Sequence, residues 1–457
     1  MKNILIRMIR VIPIILIVII TFIMNVKNPA RNSAELSEEE TSTEDYVRTD
    51  YLDSEGNISF AGDKGYATVI KTKQDGYVVL EQYFDEKGKL TVLPAGYAQI
   101  FRVYEGDLNI EIIYLDVRNK PVVVSSGYDT IRRTYTEAGK ADIDTYWIGD
   151  KQIRRKEGYW QYQRIYDESN RICEVRYLDL EGNPVRNTSG YALIRRTHIA
   201  PATIDMYFDE DLKPAASTLG QYGEMTETVD GTVITTYLDA AGEPDNTIRG
   251  YAIVKREGTR TLYYDKDGNP VTIGRSQYGI EKVNGQNVYL DADGERMFRI
   301  DNILNTRPYL VLVFGVLMTV AAIVVRGKAK AVFLIFYIIF IGIMTIAFRE
   351  SGDRRAVFEV FKSYRQFMVS STIRQDILNN IWLFVPLGAA LYDPKHRLRW
   401  FWAVLLSVGI EVLQYFTGIG VCELDDVFSN GLGAIIGYVT AHGLGVFKRT
   451  LVAENYE

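Results

Sequence analysis

The chain has 457 residues, 52 Lys+Arg against 58 Asp+Glu, and two cysteines, Cys173 and Cys422. That length accommodates two or three domains, and so few cysteines exclude a disulfide scaffold. Residues 31–300 hold 33 Lys+Arg and 46 Asp+Glu, which excludes nucleic acid as their partner, because phosphate binding needs clustered basic charge.

The first 30 residues carry an apolar run from Val11 to Met24, preceded by Lys2, Arg7 and Arg10. Basic residues collect on the cytoplasmic side of a span, so residues 1–30 are expected to be a transmembrane anchor with the amino terminus inside. Asn25-Val26-Lys27-Asn28 follows without a small-x-small cleavage site, so the anchor is expected to be retained. Residues 31–45 are rich in Ser, Thr and Glu and read as a linker.

Residues 46–300 are repetitive. Tyr51-Leu52-Asp53, Tyr83-Phe84-Asp85, Tyr114-Leu115-Asp116, Tyr177-Leu178-Asp179, Tyr207-Phe208-Asp209, Tyr237-Leu238-Asp239 and Tyr289-Leu290-Asp291 share a pattern, with Tyr146 and Tyr264-Asp265 filling the series; successive starts lie 25 to 32 residues apart. A second marker, Gly-Tyr, runs in step at Gly65, Gly96, Gly127, Gly158, Gly190 and Gly250. In the unit Gly96–Val124, 97–104 and 109–116 alternate at a strand's period of two, and Pro121-Val122-Val123 is expected to open a third strand. Between them lie turns such as Asp179-Leu-Glu-Gly182-Asn-Pro184-Val185, where Asp bonds the backbone ahead and Gly takes positive φ. The expected fold is an extracytoplasmic, all-β, solenoid-like array of hairpins, each burying its apolar face against its neighbours. The tyrosines either form the core between units or line ligand grooves. The units are loosely similar to the repeats of Gram-positive cell-wall-binding modules, although those are shorter and richer in Trp.

Residues 301–457 are apolar in stretches. With the first segment they give six expected spans, roughly 6–25, 308–325, 330–348, 377–393, 399–417 and 430–447, each near the roughly 20 residues that a bilayer core requires. The clusters Arg326/Lys328/Lys330, Lys395/Arg397/Arg399 and Lys448-Arg449 fit one alternating path, with both termini cytoplasmic and the repeats outside. Polar residues within spans are costly and are therefore functional candidates. Ser407, Glu411 and Gln414 share one helical face. Glu423-Leu424-Asp425-Asp426 is expected as a loop before a span opening at Asn430. Gly433 and Gly437 form a GxxxG expected to bring that span against the one carrying Glu411. Asn379-Asn380 and Arg349-Glu350 complete a candidate polar site at the outer rim, with Pro386, Gly388, Gly433 and Gly437 serving helix packing. Glu411 is expected to pair with Arg349 or to be held neutral by Gln414 and Asn430. His198, His396 and His442 lie far apart and no metal-ligand spacing occurs; no cofactor motif is found.

The blocks Asn379-Asn380-Ile-Trp-Leu-Phe-Val-Pro386-Leu-Gly388, Glu411-x-x-Gln414 and Asp425-Asp426-Val-x-x-Asn430-x-x-Gly433-Ala434-x-x-Gly437 resemble the VanZ-like family. So do Phe348-Arg349-Glu350 and Arg374-Gln375-Asp376. The resemblance covers roughly residues 308–447. One departure is Gly418-Ile419-Gly420, where many members carry a basic residue. The family's namesake is associated with teicoplanin resistance in Gram-positive bacteria. The resemblance therefore implies a cell-envelope membrane protein, with glycopeptide resistance or envelope maintenance as its setting. The implied partners are the lipid bilayer and a cell-wall polymer or lipid-linked envelope component; the resemblance implies no reaction. The alternative is a non-enzymatic adhesion or wall-binding protein with a multi-span anchor.

Overall fold

The computed structural model describes residues 9–27, 33, 36–274, 276–283, 286–347, 355–365, 367 and 371–454. The chain divides into two compact units: Arg31–Lys282 with Tyr289–Met297, and Met1–Ala30 with Val283–Val288 and Phe298–Glu457.

The first unit is built on a 19-stranded antiparallel sheet. Strand Gln99–Glu105 pairs with Leu108–Leu115, Gln99 opposite Leu115 and Glu105 opposite Leu108. Leu108–Leu115 then pairs onward with Thr130–Tyr135. The same step recurs along the chain, as in Leu193–Ile199 with Ala202–Phe208 and onward to Gly223–Val229. The expected third strand is reduced to a single bridge between Leu115 and Pro121, repeated at Leu178/Pro184, Phe208/Pro214, Leu238/Pro244 and Tyr264/Pro270. The same single bridge forms where the position is not proline, at Ile58, Leu90 and Arg296, so proline's missing N–H is not what ends the ladder. The turn before each bridge is held by its Asp. The Asp116 carboxylate accepts the backbone N–H groups of Arg118 (2.7 Å) and Lys120 (3.0 Å), and Asp265 those of Asp267 (2.9 Å) and Asn269 (2.8 Å). Gly268 supplies the left-handed residue at φ 84°.

The tyrosines form the core. Rings of Tyr51, Tyr66, Tyr83, Tyr97, Tyr114, Tyr128, Tyr146, Tyr159, Tyr177, Tyr191 and Tyr207 pack in sequence with centroids 4.2 to 6.0 Å apart. The series breaks where Gly220 is followed by buried Gln221 and resumes at Tyr237, Tyr251 and Tyr263. Burial pushes the hydroxyl of Tyr159 up to about 12. Asp144 lies between Arg133 and Arg164, each at 2.6 Å. Within the segment whose composition reads as a linker, Ser37–Ser42 is a strand along Tyr46–Leu52. Its Ser and Glu side chains are exposed, a composition suited to an edge strand that must not recruit another chain.

The second unit is helical. We number its helices α1 (Ile12–Thr21), α2 (Ile300–Thr306), α3 (Tyr309–Val324), α4 (Lys328–Gly342), α5 (Lys362–Arg365), α6 (Ser371–Leu391), α7 (Phe401–Thr417) and α8 (Leu424–Glu454). By length and composition one helix among the described residues is apolar enough to cross a membrane, α4 with its extension to Ile346. The pair α2 and α3, bent by 114°, counts as a second if it forms one span. The α7 helix is 17 residues long, short of the roughly 20 that span unaided. Trp382 anchors the bundle: its indole donates to Thr21 Oγ1 at 2.8 Å, and a Cβ at Gly315 of α3 would strike its ring.

Gly433 and Gly437 do bring two helices together, but their partner is α6 and not α7. A Cβ at Gly433 would collide with the Ile381 carbonyl, at Gly437 with the Val385 carbonyl, and at Gly388 with the Ala434 carbonyl. Small residues on both helices thus let the two backbones touch, whereas α7 presents the Val404 side chain to Gly431. Pro386 lies within α6, and near it the Tyr337 hydroxyl donates to the Leu383 carbonyl at 3.0 Å.

Candidate functional site

The polar residues of the helical unit meet at the middle of α6, the amino-terminal end of α8 and along one face of α7. Ser407, Glu411 and Gln414 all lie on the buried face of α7, as their 4 and 3 spacing requires. The α7 helix ends at Gly418, in the left-handed region at φ 68°, and Gly420 follows at φ 92°. The left-handed backbone at these two positions favours glycine, which has no Cβ to strain there.

The reversal delivers strand Val421–Glu423, which pairs in parallel with Arg355–Val357. The Glu423 amide donates to Glu411 Oε2 at 2.8 Å. The α8 helix begins immediately afterwards, at Leu424. Asp425 and Asp426 are therefore in its first turn and not in a loop, where carboxylates complement the helix dipole. Asn430 consequently sits deeper than expected. Its Nδ2 donates to Ser407 Oγ at 2.9 Å, not at the level of Gln414. Gln414 Nε2 donates to the Thr345 carbonyl at 2.9 Å. The expected hydrogen bonds from Gln414 and Asn430 to Glu411 are thus replaced by others. Arg349 and Glu350 lie outside the described residues, so the expected pairing of Glu411 with Arg349 does too.

The two aspartates have different work. Asp425 is 3% exposed; it accepts the backbone N–H of Phe361 at 2.6 Å through Oδ1 and of Ser363 at 2.7 Å through Oδ2. Both of its oxygens therefore anchor the segment leading into α5. Asp426 Oδ1 accepts from Asn380 Nδ2 at 2.8 Å, joining α8 to α6. Sequence reasoning missed Tyr364 and Ser429. The Tyr364 hydroxyl lies 2.8 Å from Ser429 Oγ, and that hydroxyl donates to the Asp425 carbonyl. Phe361, Tyr364 and Phe428 pack edge to face over this end. A tyrosine far from the acidic pair gives no local signal of such a role.

Three amide oxygens at this end are buried without a hydrogen-bond partner among the described residues: Asn379 Oδ1, Gln414 Oε1 and Asn430 Oδ1. Leaving a buried acceptor unsatisfied costs about 1–3 kcal/mol, so these are the costly polar atoms of this region. Among the described residues no group of three or more His, Cys, Asp or Glu side chains is placed to hold a metal ion. Cys422 is a free thiol. Burial, and then the carboxylates of Glu411, Asp426 and Glu423, push it up from its ordinary value, which keeps it protonated and a poor nucleophile.

A family model, VanZ/LLP1, matches residues 329–447. The match covers α4 through most of α8 and contains every candidate site residue. A search of curated proteins finds no match to the chain.

Proposed function

From the VanZ/LLP1 domain at residues 329–447, we propose that the chain is a multi-pass cell-envelope membrane protein that binds an envelope component at the Asn380–Asp426 end of its helical unit. In this reading the six apolar segments all cross the membrane, with both termini cytoplasmic. The sheet and the Asn380–Asp426 end then face outward, as the basic clusters favour. The setting is glycopeptide resistance of the teicoplanin type, or envelope maintenance. The sheet reaches wall or surface material, using faces other than the tyrosine core.

The observation that carries the proposal is the set of unsatisfied amide oxygens on Asn379, Gln414 and Asn430, beside carboxylates of which Asp425 is fully engaged in holding the fold. Polar groups held inside a helical membrane domain at such cost are functional candidates. The test is to purify the full-length protein and a Glu411→Ala/Asp426→Ala version from the same cells and compare the envelope lipids and wall precursors carried along. The proposal expects a species enriched with the parent and lost from the variant. Identical material on both would contradict it.

A further inference from the structure

At the carboxyl-terminal end of α6, the helical unit carries a partly open pocket of about 360 Å³, within the range typical of small-ligand sites. Arg10, from the turn before α1, and Arg397, from the loop between α6 and α7, both line it. Among the described residues neither guanidinium has a carboxylate partner within salt-bridge distance. Asp393, the one acidic side chain on the wall, is already engaged: Arg399 Nη1 lies 3.0 Å from its carboxylate, which also accepts the Lys395 amide at 2.9 Å.

The walls are built rather than loose. Arg10 Nη1 is 3.2 Å from His442 Nε2, and the His442 ring stacks on Tyr392 at 5.4 Å and 24°. The loop that carries Arg397 is tied down on both sides. The Tyr438 hydroxyl donates to the carbonyls of Asp393 (3.1 Å) and His396 (2.9 Å), and Lys330 Nζ donates to the Tyr392 carbonyl at 2.9 Å. Trp400, Ile435 and Val439 supply an apolar side to the same cavity.

We propose that this cavity binds a phosphate group between Arg10 and Arg397, borne by a membrane lipid headgroup or free in solution. Two like charges lining one small space repel until an anion sits between them. The planar fork of a guanidinium matches phosphate oxygens two at a time. Basic pockets between membrane helices are a recurrent form of lipid headgroup recognition, and the apolar wall of Trp400, Ile435 and Val439 suits the adjoining glycerol and chain. Arg397, read from sequence only as part of a topology marker, thereby acquires a ligand.

The experiment uses the full-length protein in a nonionic detergent, with thermal stability read against added short-chain phosphatidylglycerol, short-chain phosphatidylcholine or inorganic phosphate. Phosphatidylglycerol is expected to raise the midpoint more than phosphatidylcholine does. Arg397→Gln, at an exposed side chain whose loss the fold tolerates, is expected to weaken the effect by about tenfold, as removing one charged hydrogen-bonding partner does. Arg397→Lys should retain part of it, and Arg10→Gln/Arg397→Gln should lose it. Inorganic phosphate that displaces the lipid, or stabilises as well as it does, supports the proposal and identifies free phosphate as a sufficient ligand. Phosphate without effect, beside an active lipid, supports it with the headgroup as the source. If neither ligand distinguishes the parent from Arg397→Gln, the proposal is overturned.

Discussion

The sheet and the helical unit join their polar groups over different distances along the chain. In the sheet, Asp144 bonds Arg133 and Arg164, 11 and 20 residues away, and each turn Asp bonds amides two and four residues ahead. In the helical unit, Asn380 reaches Asp426, 46 residues on; Gln414 reaches Thr345, 69 back; and Trp382 reaches Thr21, 361 back. The sheet can therefore be read and damaged locally. The bundle exists only once distant segments have met, so one misfit there should be felt throughout. Buried side-chain atoms without a hydrogen-bond partner occur in both regions, at Asn109 Oδ1 and Gln152 Nε2 in the sheet and at Asn379, Gln414 and Asn430 in the bundle.

Substitutions sharpen this contrast in order of size. Gly437→Leu sets a side chain against the Val385 backbone, which has no rotamer to change. It is expected to cost more than about 4 kcal/mol and to abolish the monodisperse full-length protein in size-exclusion chromatography. A variant that elutes like the parent would show that α6 and α8 separate without penalty. Tyr146→Ala removes a ring from the middle of the aromatic series. A loss of about 3–5 kcal/mol is expected, read as faster amide hydrogen exchange between Tyr128 and Tyr177, with the helices protected as before. Spread of the change into the helical unit would break the contrast.

Asp144→Asn is expected to cost about 3 kcal/mol, because two arginines lose their buried counter-charge. Burial raises the Asp144 carboxyl, but the hydrogen bonds from Arg133 and then Arg164 outweigh it and hold the group below its ordinary value of 3.8. A depressed folded value stabilises the sheet above that pH and ceases to do so as pH falls through the folded value. The difference between parent and variant should accordingly be constant near neutrality and shrink in acid. Asp179→Ala is the smallest step, about 1 kcal/mol for one turn. It should appear as faster exchange at the Asn183 amide, which Asp179 accepts at 2.7 Å.

The same difference in range decides what the sequence made legible. The Asp-x-x-Gly turns and the tyrosine period are written within one window of about 31 residues, so the hairpins could be read directly, although the strands expected at 97–104 and 109–116 run over Gln99–Glu105 and Leu108–Leu115. The third strand could not, because the bridge made by Pro121 looks like a strand start until the ladder is counted. Ser37–Ser42 was hidden by its polarity: an exposed edge strand carries no apolar alternation to detect. In the helical unit the face of Glu411 and Gln414 followed from helical spacing. Its partners did not, because they depend on where α8 begins and on which helix receives Gly433 and Gly437. The early start of α8 at Leu424 moved Asn430 to Ser407 and turned Asp425 into an anchor for the backbone at Phe361 and Ser363.

A polar end of the helical unit that acts on the cell envelope, and does more than lock the bundle, has a phenotype separable from folding. Glu411→Gln tests it most directly. The amide oxygen can still accept the Glu423 N–H, so that bond is kept while the carboxyl group is replaced. Abundance in the membrane and teicoplanin susceptibility are measured in the same cells, with the parent and an empty vector for comparison. Unchanged abundance with susceptibility equal to the empty vector is expected; full protection by the variant at normal abundance would rule out a role of this end beyond packing.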